Sequence, residues 1–466
     1  MDHDATTYTH PRSTTDLAAR LRPLVHESAS EQVRNEIIAL LDHEHPNDIA
    51  TALGDLTPQE ALAVFACLDD ARAADVLDEL DSDLTHYFID QVPSGRIADL
   101  LDRLPMDDAA EVIAEADADQ SAQLLSDLTV KAPGDAAEIR TLLGYAEDSA
   151  GRLMTDKFAA VPPTVTAAQV LQYLRVNAHT LESVDAIYVI DDAQRLVGAC
   201  SLRQVFTAGE WQTIQYFMDP HPVAVAPETD QADAARRIAR YDLAAIPVVA
   251  PDRRLLGIIT VDDAIDVLAE EFTEDYLQLA GTDAEEMERR TPAQVARLRL
   301  PWLLVTMGIE LCAGLVIAHF DDVLKEVILL ASFMPVISAV SGNVGLQSAA
   351  IVVRGLDTGH VSLTHWRRQV SKELATALLL ALACGLVLGI VGAVWSGRAP
   401  FGVVIGAAMM CSMLTAGCMG TIIPMITKRL GFDPATTAGP FETAFQDVIG
   451  FAVFLWLASL LLRWLQ

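Results

Sequence analysis

The stretch Gly439–Gly450, GPFETAFQDVIG, decides the fold because it places a carboxylate inside the last long apolar run of the chain. Pro440 is a favourable first residue for a helix, and Asp447 follows it by seven residues, or two turns. A charge near the centre of a bilayer costs roughly 2.5–3.5 kcal/mol, so it usually faces a water-filled path or a cation rather than lipid tails. The stretch therefore predicts a membrane-spanning helix that borders an ion path.

Five apolar runs follow one another from Pro301 onward, and each is long enough to cross a hydrocarbon core of about 30 Å. With a cytoplasmic N-terminus, the basic residues that flank these runs number eight inside and three outside. We therefore expect a multi-pass protein of the cell membrane whose C-terminus is extracytoplasmic. Within the runs, Glu310, Asn343 and Gln347 are further polar residues. The predicted spans are about 301–319, 327–353, 373–395, 400–427 and 439–462.

Charge is distributed unevenly along the 466 residues, which include 32 Lys+Arg and 64 Asp+Glu. Only 11 basic and 9 acidic residues lie from Thr291 onward, so the first 290 residues carry a net charge of about −34. So strong an acidic field disfavours nucleic acid as a partner and attracts cations. The chain has no GxxxxGK[ST] phosphate-binding loop and no nucleophile–base pair that stands out, so we predict a protein that is not an enzyme.

A repeat of twelve residues runs through the acidic segment up to about Leu128. Twelve residues fit one short helix and one turn, and prolines stand where helices would begin. Such units bury their apolar faces only by stacking, so we predict an all-α superhelical domain at 31–132, after a mobile tail at 1–30. The apolar register is Leu56, Leu68, Leu80, Val92, Leu104, Ala116 and Leu128, and the prolines are Pro58, Pro93 and Pro105.

Strands alternate with helices over residues 133–275, in two copies of one β-α-β-β-α order. This order resembles a tandem pair of CBS domains, which are α/β modules. In CBS domains the Thr and Asp after the last strand commonly hold a nucleotide ribose. The resemblance implies an adenine-nucleotide site at Thr260 and Asp263, whereas the first copy has Ser201 and Gln204 at those positions.

The helix after Thr260 carries carboxylates three or four residues apart, with few basic residues to pair them. Like charges at this spacing destabilise a helix, and a divalent cation with oxygen ligands relieves the repulsion. We therefore expect these carboxylates to respond to a metal ion. A connecting helix at 276–300 then leads to a five-helix membrane domain at 301–466. The carboxylates are Asp263, Asp266, Glu270 or Glu271, and Glu274.

Long motifs across the chain resemble the MgtE family of magnesium channels, from about Glu36 to Trp464. The resemblance implies a homodimer with an ion path along its two-fold axis. Asp447 would form the selectivity ring, and Gly439 and Thr443 would line the same path. The motifs are LPMDDAAEVI, AGRLMT, YDLAAIPVV, GIITVDDAIDVLAEEFTED, RLPWLL, SGNVGLQSAAIVVR and FDPATTAGPFETAFQDVIG.

The family resemblance further implies Mg²⁺ import down the membrane potential, with closure when cytosolic Mg²⁺ bridges the N-domain, the CBS pair and the connecting helix. Many members have an Asn where Gly439 stands, which leaves open how strictly Mg²⁺ is selected. ATP is a second implied regulator. The implied sensing carboxylates are Asp263, Asp266, Glu271, Glu274, Asp275, Asp107 and Asp108.

Two other functions fit the same sequence features. One keeps transport but changes the ion to Co²⁺ or Mn²⁺, which the sequence does not separate from Mg²⁺. The other is a membrane-tethered CBS sensor of adenine nucleotide, in which the spans serve only as an anchor. Five spans interrupted by polar residues exceed what an anchor needs, so transport is the favoured prediction.

Overall fold

The computed structural model describes residues 14–26, 31–282 and 291–461. The chain divides into two compact units, Met1–Glu270 and Glu271–Gln466. The first unit contains short helices and two small sheets, and the second contains long apolar helices. This arrangement confirms the predicted fold class, an all-α N-domain followed by α/β CBS domains and a five-helix membrane domain.

The N-terminal helices begin at intervals of twelve residues from α3 to α9, which confirms the repeat. Local sequence explains the starts, because Thr57 forms a capping box with Glu60 and Asp69 and Asp81 cap the next two helices. The helices are α1 (Thr14–His26), α2 (Glu31–Leu41), α3 (Pro46–Gly54), α4 (Pro58–Phe65), α5 (Asp70–Asp78), α6 (Ser82–Gln91), α7 (Ser94–Leu101), α8 (Met106–Ala114), α9 (Ala118–Lys131) and α10 (Pro133–Leu142).

Both edges of the predicted N-domain need correction. Part of the predicted mobile tail is helix α1, which packs against α3 and α4 and buries Leu17 and Leu21. Its apolar residues recur at helical spacing, a signal that the polar composition of the first residues obscured. At the other edge, α10 packs against α8 and α9 and buries Ile139, so the helical domain continues past residue 132.

Two sheets follow, and their order matches two copies of one module. In the first copy β1 pairs parallel with β2, and β2 pairs antiparallel with β3. In the second copy β4 pairs antiparallel with β5, and the predicted first strand is reduced to a parallel bridge between Val225 and Val248. The elements are β1 (Phe158–Val161), α11 (Ala167–Asn177), β2 (Ser183–Ile190), β3 (Leu196–Ser201), α12 (Leu202–Thr207), a 3-10 turn at Ile214–Tyr216, α13 (Gln231–Tyr241), β4 (Ala245–Val249), β5 (Leu255–Thr260) and α14 (Val261–Leu279).

Among the described residues of the second unit, five helices are long and apolar enough to cross a membrane, as predicted. Helix α19 is the most buried of them, and it meets α18 through glycines: a Cβ on Gly389 would lie 2.9 Å from the carbonyl oxygen of Gly402. The elements are α15 (Pro292–His319), α16 (Asp321–Glu326), a 3-10 segment at Ile328–Ser332, α17 (Met334–Asp357), a 3-10 turn at Leu363–His365, α18 (Trp366–Ser396), α19 (Ala399–Arg429), α20 (Ala435–Ala438) and α21 (Pro440–Leu460).

The predicted connecting helix at 276–300 is not one helix. Helix α14 ends at Leu279, and α15 begins at Pro292, where Thr291 provides a capping box. Residues 283–290 of the predicted segment lie outside the described residues. The first membrane helix therefore begins nine residues before Pro301, and Pro301 lies inside it.

Candidate functional site

Asp447 lies on α21, where the side chain is partly exposed and has a hydrogen-bond donor beside it. The hydroxyl of Ser338 on α17 donates to Asp447 Oδ1 at 2.5 Å. The carboxyl of Glu310 on α15 also lies within interaction distance of Asp447. Sequence reasoning missed Ser338, because a serine inside an apolar helix is common and no spacing rule connects it to Asp447.

Gly439 lies where the end of α14 meets the start of α21. A Cβ on Gly439 would lie 3.0 Å from the carbonyl carbon of Leu279 and 3.2 Å from the carbonyl oxygen of Gln278. Leu279 also packs against a small cluster that includes Ala435 and Ala438 of α20. Glycine is therefore needed here for close approach of the two backbones.

Thr443 follows Gly439 by one helical turn on α21 and is partly exposed. A Cβ on Gly342 of α17 would lie 3.5 Å from the Thr443 methyl group. Thr443 and Asp447 are four residues apart, so they lie on one face of α21. Gly439, Thr443 and Asp447, the three residues predicted to line the path, therefore follow one another at intervals of about one turn from the start of α21.

Glu442 and Gln446 lie on a more buried face of α21 than Asp447. Glu442 is 1% exposed, and neither of its carboxylate oxygens has a hydrogen-bond partner among the described residues. Its carboxylate occupies the space beside Gly345, where a Cβ would lie 2.9 Å from Oε2. Gln446 Nε2 instead donates to the backbone oxygen of Ser412 at 3.1 Å. Glu442 therefore belongs to the interior of the helix bundle.

A second group of carboxylates lies in the first unit, around the start of α8. Asp107 and Asp108 are in the first turn of α8, and each interacts electrostatically with Asp263 in the first turn of α14. Helix α8 is held beside the CBS pair by Lys157, which donates to the backbone oxygen of Leu104 at 3.2 Å. Further carboxylates that interact with Asp108 or Asp263 are Asp78, Glu111, Glu182, Asp262 and Asp266.

Crowding and burial raise the pKa values of this acidic cluster. Burial, with the charges of Asp78 and Asp263, raises the pKa of Asp108 to about 8. Burial also raises the pKa of Asp107 well above its usual range, and its Oδ1 atom has no hydrogen-bond partner among the described residues. The unfavourable charge of buried, crowded carboxylates is neutralised either by a bound proton or by a nearby cation.

No three His, Cys, Asp or Glu side chains in the described ranges converge closely enough to enclose a metal ion. Asp107, Asp108 and Asp263 therefore do not enclose a metal ion by themselves, and the Oδ1 atom of Asp107 has no hydrogen-bond partner in these ranges.

The remaining predicted sensing residues are farther along α14. Asp266 lies in the first unit, while Glu271, Glu274 and Asp275 lie in the second. Glu274 accepts a hydrogen bond from Gln278 Nε2 at 2.7 Å. The predicted carboxylates thus form two groups, one beside α8 and one on the last turns of α14.

Binding of Mg²⁺ should release protons from the full-length protein at about pH 7, because the raised pKa of Asp108 keeps that carboxyl largely protonated in metal-free protein. The released amount should fall at about pH 9, where the group is already ionised. A pH-indicator titration in weak buffer measures this. The variant Asp108→Asn should release fewer protons, and an unchanged amount would contradict the assignment.

The same raised pKa values set the pH dependence of stability without metal. A carboxyl whose pKa is higher in the folded than in the unfolded state stabilises the fold at low pH, and this contribution is lost as the pH rises through the folded-state value. For Asp108, this stabilising contribution is lost as the pH rises from the ordinary pKa of the carboxyl to about 8. The unfolding temperature of the first unit should therefore decrease over this range and recover when Mg²⁺ is added.

The predicted nucleotide residues Thr260 and Asp263 contact each other. Thr260 Oγ1 donates to Asp263 Oδ2 at 2.5 Å, and the Thr260 backbone N–H donates to the same oxygen at 3.2 Å. A cavity of about 810 Å³ lies instead beside Ser201 and Gln204, between the first and second CBS copies. Its lining includes Arg203, and space for a nucleotide is therefore present at the first copy.

Comparison with known proteins gives matches along most of the chain. The families that match are the MgtE intracellular N domain at residues 44–148, the CBS domain at 150–210 and 214–270, and MgtE, described as a divalent cation transporter, at 334–457. A magnesium transporter MgtE of Thermus thermophilus is 34% identical over 452 residues, which cover 96% of this chain and 99% of the relative.

Two further matches are as follows. A magnesium transporter MgtE of Enterococcus faecalis is 35% identical over 71% of this chain and 73% of its own length. A crystal structure of the cytosolic domain of the Mg²⁺ channel MgtE in complex with ATP is 33% identical, covers 54% of this chain and 99% of that chain, and has a TM-score of 0.49. Taken with the helical N-domain, the CBS pair and the five membrane helices, the near full-length match shows that this chain belongs to the MgtE family of magnesium transporters, which are membrane transporters and not enzymes.

Proposed function

We propose that the protein is a passive Mg²⁺ channel that closes when cytosolic Mg²⁺ binds to its N-domain and CBS domains. The observation that carries the proposal is Asp447, a carboxylate in a membrane helix that is partly exposed and held by Ser338. A cation in the path compensates such a charge. The membrane potential supplies about 2.3 kcal/mol per charge per 100 mV, so a divalent ion gains about twice that.

The chemistry of Mg²⁺ suits a path with few direct ligands. Mg²⁺ gives up its water molecules reluctantly. Asp447 attracts the ion by charge, while Thr443 and the backbone near Gly439 provide oxygen atoms that accept hydrogen bonds from bound water. The ion then passes largely hydrated, and selection depends on how well the path fits that hydrated ion.

Two copies of the chain complete the path in this proposal. Asn343 and Gln347 of α17 are exposed on the surface of a single chain, although they lie in a membrane helix. Amide side chains in contact with lipid are unfavourable, so a second copy is the better neighbour for this face. Asp447 residues from both copies would then face each other across the two-fold axis.

A cysteine at position 343 should form a disulfide between two copies when the six native cysteines have been replaced. In the proposed dimer, α17 of one copy lies against α17 of the other. Mild oxidation should therefore cross-link most of the Asn343→Cys protein, which would then migrate as a dimer on a non-reducing gel. Val394→Cys is the matched control, since Val394 is 78% exposed on α18. Equal cross-linking of both variants would argue against this dimer.

The gate in this proposal is the end of α14, which lies against Gly439. Mg²⁺ bound to carboxylates of α8 and α14 favours the closed arrangement, because it removes their mutual repulsion. The ion shifts the population only to the extent that it binds the closed state more tightly. Asp266, Glu271, Glu274 and Asp275 extend this sensing surface along α14, so Asp266→Ala with Glu271→Ala should also allow leakage.

Gly439→Ala should increase Mg²⁺ influx at high internal Mg²⁺, because the added methyl group overlaps the carbonyl group of Leu279 and moves the end of α14 away. Stopped-flow influx into liposomes preloaded with Mg²⁺ measures this. Gly314→Ala is the control, since a Cβ on Gly314 meets no atom within 4 Å. Normal closure in Gly439→Ala would mean that the contact between Gly439 and the end of α14 is not part of the gate.

Adenine nucleotide is a second regulator in this proposal. Thr260 and Asp263 are already hydrogen-bonded to each other. The 810 Å³ cavity beside Ser201 and Gln204 therefore offers more room for adenosine, and Arg203 in its lining could contact the phosphates. ATP binding to this cavity would alter the CBS pair and thereby the affinity of the adjacent carboxylates for Mg²⁺.

Flux into liposomes with Mg²⁺, Mn²⁺ or Co²⁺ tests the function and the choice of ion. We expect Mg²⁺ to enter without ATP or a second ion gradient, and the N-terminus to lie on the side where Mg²⁺ closes the path. Faster Mn²⁺ or Co²⁺ flux with little Mg²⁺ flux would support the alternative ions. A membrane-tethered sensor would give no flux of any of the three.

A further inference from the structure

A cavity of about 610 Å³ lies at one end of the membrane unit, between the C-terminal end of α17 and the start of α18. Its edge is a tight loop in which the Val361 backbone N–H donates to the oxygen of Gly355 at 2.7 Å and Gly359 has a φ of +71°. The proposed path along Gly439, Thr443 and Asp447 does not include this cavity. The residues that line it are His360, Val361, Ser362, His365, Arg368, Gln369 and Lys372.

The lining of this cavity is basic in a chain whose net charge is −32. Arg368 and Lys372 are positively charged, His360 and His365 add ring nitrogens, and none of the lining residues is acidic. The nearest acidic neighbour in sequence is Glu373, which is buried and accepts a hydrogen bond from Gln369 at 3.2 Å. The cavity therefore favours an anion that accepts several hydrogen bonds, such as a phosphate group.

The surroundings of the cavity indicate a phosphate attached to lipid. Trp366, at the start of α18, is 43% exposed and carries the guanidinium of Arg367 over its ring at 5.5 Å. Tryptophan at the end of a membrane helix commonly lies at headgroup depth. Beyond it, α18 exposes a stripe of leucines four residues apart that an acyl chain can cover. These leucines are Leu374, Leu378, Leu382 and Leu386.

We propose that this cavity binds the phosphate headgroup of an anionic phospholipid, with the acyl chains along the exposed face of α18. Basic pockets between membrane helices are a known setting for anionic headgroups. The bound lipid would join the loop after α17 to the first turn of α18. Free phosphate shares the headgroup chemistry, so the experiment must separate the two sources.

Native mass spectrometry of the full-length protein with phosphatidylglycerol, phosphatidylcholine or inorganic phosphate tests the proposal. We expect selective retention of phosphatidylglycerol, and about a tenfold loss of that retention in Arg368→Gln with Lys372→Gln. The control, Arg297→Gln with Arg429→Gln, removes the same charge at two exposed positions outside the cavity and should retain the lipid. The exchange Arg368→Lys with Lys372→Arg should also retain it.

Three results would overturn the proposal. Equal loss in the two double variants would mean attraction by overall charge, and equal retention of phosphatidylcholine would remove headgroup selection. Full displacement of the lipid by millimolar inorganic phosphate would identify a site for free anions. If the double variant does not fold, Ser362→Glu places a negative charge in the lining and should lower lipid retention by itself.

Discussion

Asp447→Asn should reduce Mg²⁺ influx by about a hundredfold or more, because it removes the charge that compensates the ion inside the membrane. Two unit charges about 4 Å apart attract each other by about 4 kcal/mol at an effective dielectric constant of 20, and the attraction doubles for a divalent ion. Only part of this energy is lost in the asparagine variant, since the amide oxygen still accepts hydrogen bonds from water. Even about 3 kcal/mol corresponds to more than a hundredfold.

Influx of Mg²⁺ into liposomes that contain an Mg²⁺-sensitive dye measures the effect of Asp447→Asn. Ser338→Ala is an informative companion, because it removes the hydrogen bond to Asp447 Oδ1 but keeps the carboxylate. We expect a smaller decrease for Ser338→Ala than for Asp447→Asn. If Asp447→Asn transports as fast as the unmodified protein, the path does not pass this residue.

Asp107→Asn with Asp108→Asn should keep the path open at internal Mg²⁺ concentrations that close the unmodified channel. Both carboxylates of α8 interact electrostatically with Asp263 of α14. The substitutions remove proposed Mg²⁺ ligands, which disfavours closure, and they also reduce repulsion between α8 and α14, which favours it. We expect the loss of the bridging ion to be the larger effect, because asparagine lacks the charge that holds a divalent cation. We therefore expect the closing concentration of Mg²⁺ to rise by about tenfold, which corresponds to about 1.4 kcal/mol of lost binding energy.

The matched control for this gating variant is Asp119→Asn with Asp192→Asn, which removes two exposed carboxylates of the same unit. It should close at the normal concentration. Influx is measured in liposomes prepared with increasing internal Mg²⁺, so that each variant gives a complete closing curve. A parallel shift of the curve in the control would mean that net charge, and not the cluster at α8, determines closure.

The parts of the fold that follow from local periodicity could be predicted from the sequence. The twelve-residue repeat placed helix starts at Pro58 and beside Pro93 and Pro105, and the structure confirms all three. The five membrane spans followed from apolar length alone. Helix α1 was missed because its polar neighbours dominate the composition of the first residues, and α10 was missed because Pro133-Gly134 is also typical of a break between two domains.

Contacts between distant segments could not be predicted in this way. The hydrogen bond between Ser338 and Asp447 joins residues 109 positions apart, and the contact between Leu279 and Gly439 joins two segments of the second unit that are also distant in sequence. Periodicity describes which face of a helix is buried but not which helix covers it. The predicted pore residues were nevertheless close to one another, because Gly439, Thr443 and Asp447 are spaced by one helical turn.

The most direct test of a passive Mg²⁺ channel is influx into liposomes under an imposed potassium diffusion potential, without nucleotide and with equal Na⁺ and H⁺ concentrations on both sides. An inside-negative potential should drive Mg²⁺ inward against a modest concentration gradient, and an inside-positive potential should reverse the flow. A Mg²⁺ flow that does not depend on the membrane potential would contradict the proposed mechanism. So would a flow that requires nucleotide or a gradient of another ion.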